Sequence, residues 1–408
     1  MRILTFTSLF PNAARRDLGV FIWQRVAHIA RLEGNAVRVI APVPFLPRWF
    51  RAKRWQIYRQ IPHEEEMGGI SVSHPRYPFL PGILMPLHGL LMFLGSLIPA
   101  RRLQREFDFV CIDAHYVYPD GFAAVLLGKA LNVPVIVSAR GTDINLFPSF
   151  PLIRPMICWT LQHADGLIAV SSALKDRMAQ LGTSPEKIRV IPNGVDVERF
   201  FPVDRHDARY QLGLEPNNPT IVCVAALTAG KRHEMLIQAL SRVVKLIPEV
   251  RAYIVGEGPL RAKLQTQIEE HGMNHQVFLA GGKPNADLRL WFSAADVSCL
   301  ASSREGWPNV VMESIACGTP VVATRVGGIP EILVSPAIGI LVDEDEQSLA
   351  AGIRAVLERT WDRETLVHRA RLRTWETVAK EVLEYFRSQI RVGTTEVSGG
   401  RSTHQNRL

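Results

Sequence analysis

The stretch DVSCLASSREGWPNVVMESIACGTPVVAT, residues 296–324, reads as a strand, a loop, a helix and a second strand. DVSCLAS is a short apolar run of strand length, and PVVAT after the Gly318-Thr319-Pro320 turn is another. Between them the pattern is helical, so the segment is one βαβ unit of a parallel sheet. Pro308 suits the first helical position, where a missing N–H costs nothing. The amides of Asn309 and Val310 then point out of the positive end of the helix, which suits an anion such as a diphosphate. Glu305 lies just before this start, and Glu313 lies about 7–8 Å along the axis from it at 1.5 Å per residue. A nucleotide sugar carries hydroxyls on both sides of its diphosphate, and one carboxylate at each end would accept from them. Two solvated surface glutamates are the plain alternative, and the Gly-Trp-Pro-Asn helix start after a strand weighs against it.

Working outward, strands and helices alternate along nearly the whole chain. RILTFTS, AVRVIAP, FDFVCID, VPVIVSA, DGLIAV and KIRVI read as strands before residue 192, separated by helical patterns, with residues 43–78 irregular. PNGVDVERFFPVDRHDARYQLGLEPNNP breaks the rhythm with Asn-Gly, prolines and polar residues, as a linker does. The alternation then resumes with TIVCVAAL, a helix from Lys231, RAYIVGEG, a helix from Leu260, QVFLAG and a helix from Ala286. The expected fold is α/β, with two doubly wound Rossmann-like domains facing across a cleft. The expected domains are 1–195 and 196–374. A helix over 375–391 crosses back to the first domain, and 392–408 form a disordered tail. Ligands in such sheets sit beyond the carboxyl ends of the strands, so the loops at those ends are where chemistry is expected.

The chain has 408 residues, 47% hydrophobic and 21% charged, with a formal net charge of +8. The length suits two cores, and the positive balance favours anionic partners. The five cysteines are dispersed and apolar in context, which predicts buried free thiols rather than disulfides or zinc. The first residues, MRILTFTSLFPN, read as a first strand and not as a signal peptide. Residues 79–100, FLPGILMPLHGLLMFLGSLIPA, carry no formal charge, but three prolines interrupt them. A buried helix, or an apolar face resting on a membrane with Arg101 and Arg102 at its rim, is expected there rather than a span. The DED run at 343–345 has the spelling of a metal-binding Asp-x-Asp, yet it reads as a cap of the following helix or as a solvated acidic run. No zinc spacing, P-loop or basic-aromatic repeat occurs, so neither a metal nor a nucleic-acid partner is expected.

EGWPNVVMESIACGTPVVATRVGGIPE (305–331) closely resembles the signature of family 4 of the retaining glycosyltransferases, which have the GT-B fold. PNGVD (192–196), IVGEGP (254–259), DAHYVYPDGFAA (113–124) and ARGTDIN (139–145) extend the resemblance over most of the chain. The wording SSREGWPNV (302–310) is nearest the subgroup that includes teichuronic-acid transferases. The resemblance implies transfer of a sugar from a nucleoside diphosphate sugar to a glycan or lipid-linked acceptor, on one face of the sugar. It implies no cofactor or metal and a cytoplasmic site of action, peripheral on the membrane. Glu305 would contact the sugar, Glu313 the ribose, and Lys231 the diphosphate. A lysine at a helix start is unfavourable unless an anion is present, which gives Lys231 a physical motive. Gly19 would let the backbone approach the donor phosphate, and His115 would lie beside the donor sugar or be a satisfied structural residue. Arg140 and Asp143 would line the acceptor side or pair with each other. The family's usual arginine five residues before the lysine is Ala226 here, so Arg232 or Arg304 would have to substitute. A nucleotide-sugar epimerase and a non-catalytic partner in polysaccharide assembly are the competing readings.

Overall fold

The computed structural model describes residues 1–45, 56–79 and 85–399, the side chains of 391–399 excepted. The chain forms two compact units, Met1–Pro192 with Trp375–Leu408, and Asn193–Thr374. The expected second boundary at 374/375 coincides with the observed one, and the first falls three residues before the expected 195/196.

In the first unit, eight strands form one sheet: β1 (Arg2–Phe6), β2 (Ala36–Ile40), β4 (Glu64–Met67), β5 (Ile70–Ser73), β7 (Cys111–His115), β8 (Val135–Ala139), β9 (Gly166–Ala169) and β10 (Ile188–Val190). Their order is β10-β9-β8-β7-β1-β2-β5-β4, and every pairing is parallel except β4 with β5. β7, β8 and β9 are buried at every residue, as strands covered on both faces must be. The region read as irregular holds strands after all. β4 and β5 form a hairpin turned by Gly68 and Gly69, both at positive φ (53° and 79°). β3 (Val43–Phe45) pairs with β6 (Arg76–Pro78) in a separate parallel ribbon.

The helix Trp375–Gly399 runs past the expected end at 391, and residues 400–408 lie outside the described residues. Trp375, Val378, Ala379, Val382, Leu383 and Phe386 recur at helical spacing and are buried in the first unit's core against the helix Val20–Arg31.

The second unit holds six parallel strands: β11 (Thr220–Val224), β12 (Arg251–Val255), β13 (Val277–Gly281), β14 (Val297–Leu300), β15 (Val321–Thr324) and β16 (Gly339–Val342). Their order is β13-β12-β11-β14-β15-β16. The order reverses between β11 and β14, so the loops after those two strands flank the crevice where such sheets bind ligands. In the first unit the corresponding reversal lies between β1 and β7.

All five cysteines are free. Four are buried and Cys158 is half-buried, which corrects the expectation that each is inside. Asp345 caps the helix Glu346–Leu357 by accepting the Ser348 amide at 2.8 Å, as its place in the acidic run suggests. Among the described residues no helix is long and apolar enough to cross a membrane.

Candidate donor site and the buried charge network

The second unit brings Lys231, Glu305, Asn309, Val310 and Glu313 to the switch point of its sheet. Lys231 does not open a helix, as the sequence suggested. It ends a short turn, Ala229–Lys231, and the helix proper is His233–Leu246. Its ammonium pairs with the Glu305 carboxylate, which also accepts the Ser302 hydroxyl at 2.6 Å. Ser302 is fully buried, and its carbonyl accepts Thr324 Oγ1 at 2.6 Å, which ties the Glu305 loop to the end of β15. Gly327, at φ 52°, presses on the same loop. A Cβ there would stand 2.0 Å from the Glu305 carbonyl oxygen, so only glycine permits this contact.

Pro308 is the N-cap of the helix Asn309–Ala316, with ψ 101°, and not its first helical residue. Asn309 therefore occupies the first position. Among the described residues, the backbone hydrogen bonds outside helices and strands give the amides of Asn309 and Val310 no acceptor, whereas Val311 donates back to Pro308 at 3.1 Å. The Asn309 side chain accepts from Asn193 at 3.1 Å, which joins the PNGVD segment to the helix start. The loop after β12 closes the crevice from the other side. A Cβ on Gly256 would meet the Ala225 carbonyl oxygen at 2.0 Å, and one on Gly258 the Leu227 oxygen at 2.4 Å.

Glu313 is half-buried, one turn and more inside the helix. Burial pushes its carboxyl up to about 7, against the pull of Arg199 and with the help of Asp196. The expected permanently ionised carboxylate is thus a group near its midpoint at neutral pH. Neither Arg199 nor Asp196 was singled out in the sequence. Asp196 sits in PNGVD and accepts the Arg199 amide at 3.1 Å, so the motif was legible but its reach to Glu313 was not.

Ala226 is exposed, and its carbonyl accepts from His233 at 3.1 Å. Arg232 is turned to Glu344 at 2.9 Å. Arg304 instead lies along the Lys231 turn, its guanidinium 3.5 Å from where a Gly230 Cβ would be. Trp307 contributes an indole N–H that is buried and, among the described residues, has no acceptor.

In the first unit the expected residues gather at the ends of β7 and β8. Gly19 caps the helix Val20–Arg31 at φ 61°, and a Cβ there would meet the Leu9 carbonyl oxygen at 2.1 Å. His115 is fully buried. Its Nε2 lies 3.1 Å from Asp113 Oδ2, and its Nδ1 faces the Arg140 guanidinium. Burial lowers the ring to about 3, with Arg140 adding to the effect and Asp113 opposing it. The neutral tautomer donates from Nε2 to Asp113 and accepts at Nδ1 from Arg140, so both nitrogens are taken. Arg25 completes the network. It is buried, donates to Asp113 at 2.8 Å and to Ser138 at 2.9 Å, and lies over the Phe386 ring at 5.8 Å. Burial alone would raise the Asp113 carboxyl, but Arg25, His115 and Arg140 together hold it below its usual range.

Asp143 lies at the turn after β8. It is buried, and its oxygens accept the amides of Arg140 (3.1 Å), Gly141 (2.8 Å) and Val117 (2.9 Å), so it anchors the turn after β8. Arg140 is half-buried, with its guanidinium 5.4 Å from the Phe21 ring centre. Burial and the neighbouring Arg25 lower it to about 9, which leaves it cationic at neutral pH.

Two doubly wound α/β units, the second with a lysine–glutamate pair beside a capped helix start, define the architecture of GT-B glycosyltransferases. A family model described as Glycosyltransferase Family 4 matches residues 57–199, and one described as Glycosyl transferases group 1 matches residues 204–373. The chain belongs to glycosyltransferase family 4. It is 28% identical over 371 residues to the teichuronic acid biosynthesis protein TuaC of Bacillus subtilis, covering 88% of this chain and 90% of that one. It is 32% identical over 242 residues to a D-inositol 3-phosphate glycosyltransferase of Segniliparus rotundus, covering 57% and 54%. Among solved structures, sucrose-phosphate synthase from Thermosynechococcus elongatus superposes with a TM-score of 0.78 at 20% identity, covering 96% of this chain and 99% of that one. Anabaena HepE in complex with UDP-glucose superposes at 0.71 and 22% identity, covering 95% and 99%.

Proposed function

We propose that the chain moves a sugar from a nucleoside diphosphate sugar to a glycan or lipid-linked acceptor in the assembly of a bacterial surface polysaccharide, with retention at the anomeric carbon and no metal. The second unit binds the donor and the first binds the acceptor. The observation that carries this reading is the Lys231–Glu305 pair beside the Asn309–Val310 amides at the switch point. A cation and helix-end donors stand there together, at hand for a diphosphate that gains charge as its bond to the sugar breaks. Lys231, with Arg304 in place of the missing arginine, neutralises the diphosphate. Glu305 then accepts from the sugar, and Glu313 from the ribose. The UDP-glucose complex of HepE and the name of TuaC support the donor class and the pathway. His115, with both nitrogens engaged, acts by holding Arg140 at the acceptor side, and Gly19 gives the first unit's backbone a close approach to the phosphates.

A thermal-shift screen against a panel of nucleotide sugars tests the reading. One donor at about 100 times its Kd stabilises by about 2.7 kcal/mol, a shift of several degrees, and Glu313→Ala erases it. Equal shifts in both proteins would remove the ribose assignment. Donor incubated alone should yield no isomerised sugar, which separates transfer from epimerisation.

Glu313 also makes binding depend on pH. Hydroxyl donors favour its carboxylate, so the bound pKa falls below the free value near 7. Affinity for the nucleoside diphosphate should therefore rise with pH up to about 7 and level off above it, with a proton released on binding near pH 6. Calorimetry in two buffers of different ionisation enthalpy reads that proton, and Glu313→Gln should abolish it.

Of the apolar segment, residues 80–84 lie outside the described residues and His88–Ala100 belong to the helix His88–Phe107; that this helix rests on a membrane is a proposal of the same kind. Gly89, Met92, Ser96 and Ala100 face inward, while Leu90, Leu94 and Ile98 form an outer stripe 42%, 55% and 77% exposed. Arg101, Arg102 and Arg105 follow on exposed positions, which suits an anionic bilayer. Leu91 and Phe93 are half-buried, so the informative changes are Leu94→Glu and Ile98→Glu. Each should weaken partition into phosphatidylserine vesicles about tenfold, from the loss of about 1.5 kcal/mol of apolar burial, without lowering the melting temperature. Unchanged partition would count against attachment through this helix.

A further inference from the structure

The second unit has a polar cavity at the opposite end of its sheet from Lys231. It opens beside Pro219, Asp296 and Pro320, the residues that immediately precede β11, β14 and β15, and its volume is about 530 Å³. That is within the range of small-molecule sites. Four arginines line it, Arg205, Arg209, Arg359 and Arg363, against one acid, Asp296. Asp296 is already spent: it accepts Arg205 at 2.6 Å, Arg209 at 2.8 Å and the Thr220 amide at 2.7 Å. Arg209 is buried, and each of its three nitrogens is hydrogen-bonded, the other two to the carbonyls of Ala294 and Pro216.

The other guanidiniums keep donors to spare. Arg205 Nε is buried and, among the described residues, has no acceptor. Arg359 gives one bond to the Pro336 carbonyl at 2.9 Å and lies 4.3 Å from the Trp361 ring centre, so its plane is fixed. Arg363 donates to the carbonyls of Gly318 (3.3 Å) and Cys317 (3.2 Å). Among the described residues neither Arg359 nor Arg363 is in an ion pair with a carboxylate. Burial and then the repulsion of Arg205 lower Arg363, outweighing Asp204 and Asp296. Like charges thus converge on a space that, among the described residues, is lined by one acid, Asp296.

We propose that this cavity binds a phosphoryl group, as free phosphate, diphosphate or the phosphate ester of a small metabolite. Guanidinium forks match phosphate oxygens in pairs, and the surplus of three positive charges (four arginines less one aspartate) suits a dianion better than a single carboxylate. Arg363 also links the cavity to the donor site. The carbonyls it caps, Cys317 and Gly318, close the C-terminal end of the helix whose other end carries Asn309 and Val310.

The donor site binds diphosphate too, so the test uses full-length protein carrying Lys231→Ala. Calorimetry at low ionic strength with inorganic pyrophosphate should still show one binding event in that variant. Adding Arg205→Gln and Arg359→Gln should weaken it at least tenfold while the melting temperature stays within a few degrees. If the triple variant does not fold, Lys231→Ala with Arg359→Gln alone, an exposed side chain, should still weaken it severalfold. Parallel titrations with inorganic phosphate and with a hexose 1-phosphate separate a free ion from an ester as the preferred ligand. No residual binding in Lys231→Ala, or residual binding that the arginine changes leave intact, overturns the proposal. Neither result bears on the donor-site reading, which the Glu313 variants test.

Discussion

Lys231→Ala is expected to lower kcat/KM by about 10²–10³-fold, the range seen when one preorganised charge donor is removed from a transition state. The ammonium sits on the loop after β11 and faces Glu305 on the loop after β14, so the two strands on either side of the sheet's reversal supply the pair. In the proposed reaction negative charge grows on the leaving diphosphate as the sugar–phosphate bond breaks, and a cation already in place costs no reorganisation. In the ground state the same lysine also balances the charge of Glu305, which accepts the Ser302 hydroxyl as well, so its loss removes the cation from that carboxylate. Lys231→Arg should recover part of the rate, because charge returns without the same reach. Steady-state kinetics with the donor found by thermal shift provide the measurement, and a variant within threefold of wild type would take Lys231 out of the reaction.

Asp113→Ala should cost about 3–5 kcal/mol of stability, because it strands a buried guanidinium. Arg25 has side-chain exposure of 2%, Asp113 of 0%, and the aspartate is the only carboxylate in ion-pair contact with Arg25 among the described residues. His115 would lose the acceptor of its Nε2 proton in the same step, and with it the tautomer that receives Arg140. Urea unfolding reads the loss as a lower midpoint at unchanged slope. A loss below 1 kcal/mol would mean that water or another group reaches Arg25. Activity measured well below the unfolding midpoint should fall as well, through the displaced Arg140.

Much of this arrangement is visible in the residues themselves. Parallel strands buried on both faces are near-continuous apolar runs, so VPVIVSA and PVVAT declare themselves without context. The donor helix start is legible because Gly-Trp-Pro-Asn after a strand leaves few alternatives. The strands within 43–78 are not, because β4 is the run EEEM, an edge strand whose charges hide its period and protect it from pairing. Pro308 was read one position too far into the helix, since proline fits both the cap and the first turn. The raised pKa of Glu313 is not legible in the sequence because it comes first from burial in the fold, and then from the opposing charges of Arg199 and Asp196, more than a hundred residues away. His115 and Asp143 illustrate the same limit. A polar residue at a strand end looks available until the fold shows which backbone amides and side chains have claimed it.

The return of the last helix to the first unit has a consequence for synthesis. The groove that receives Trp375, Val382 and Phe386 stays open to water until the whole second unit and the helix after it have left the ribosome. The N-terminal half therefore waits, incomplete and sticky, while the C-terminal half, contiguous from Asn193 to Thr374, can close first. A truncation that spares every residue discussed as chemically important but stops before residue 375 should still yield an aggregating product.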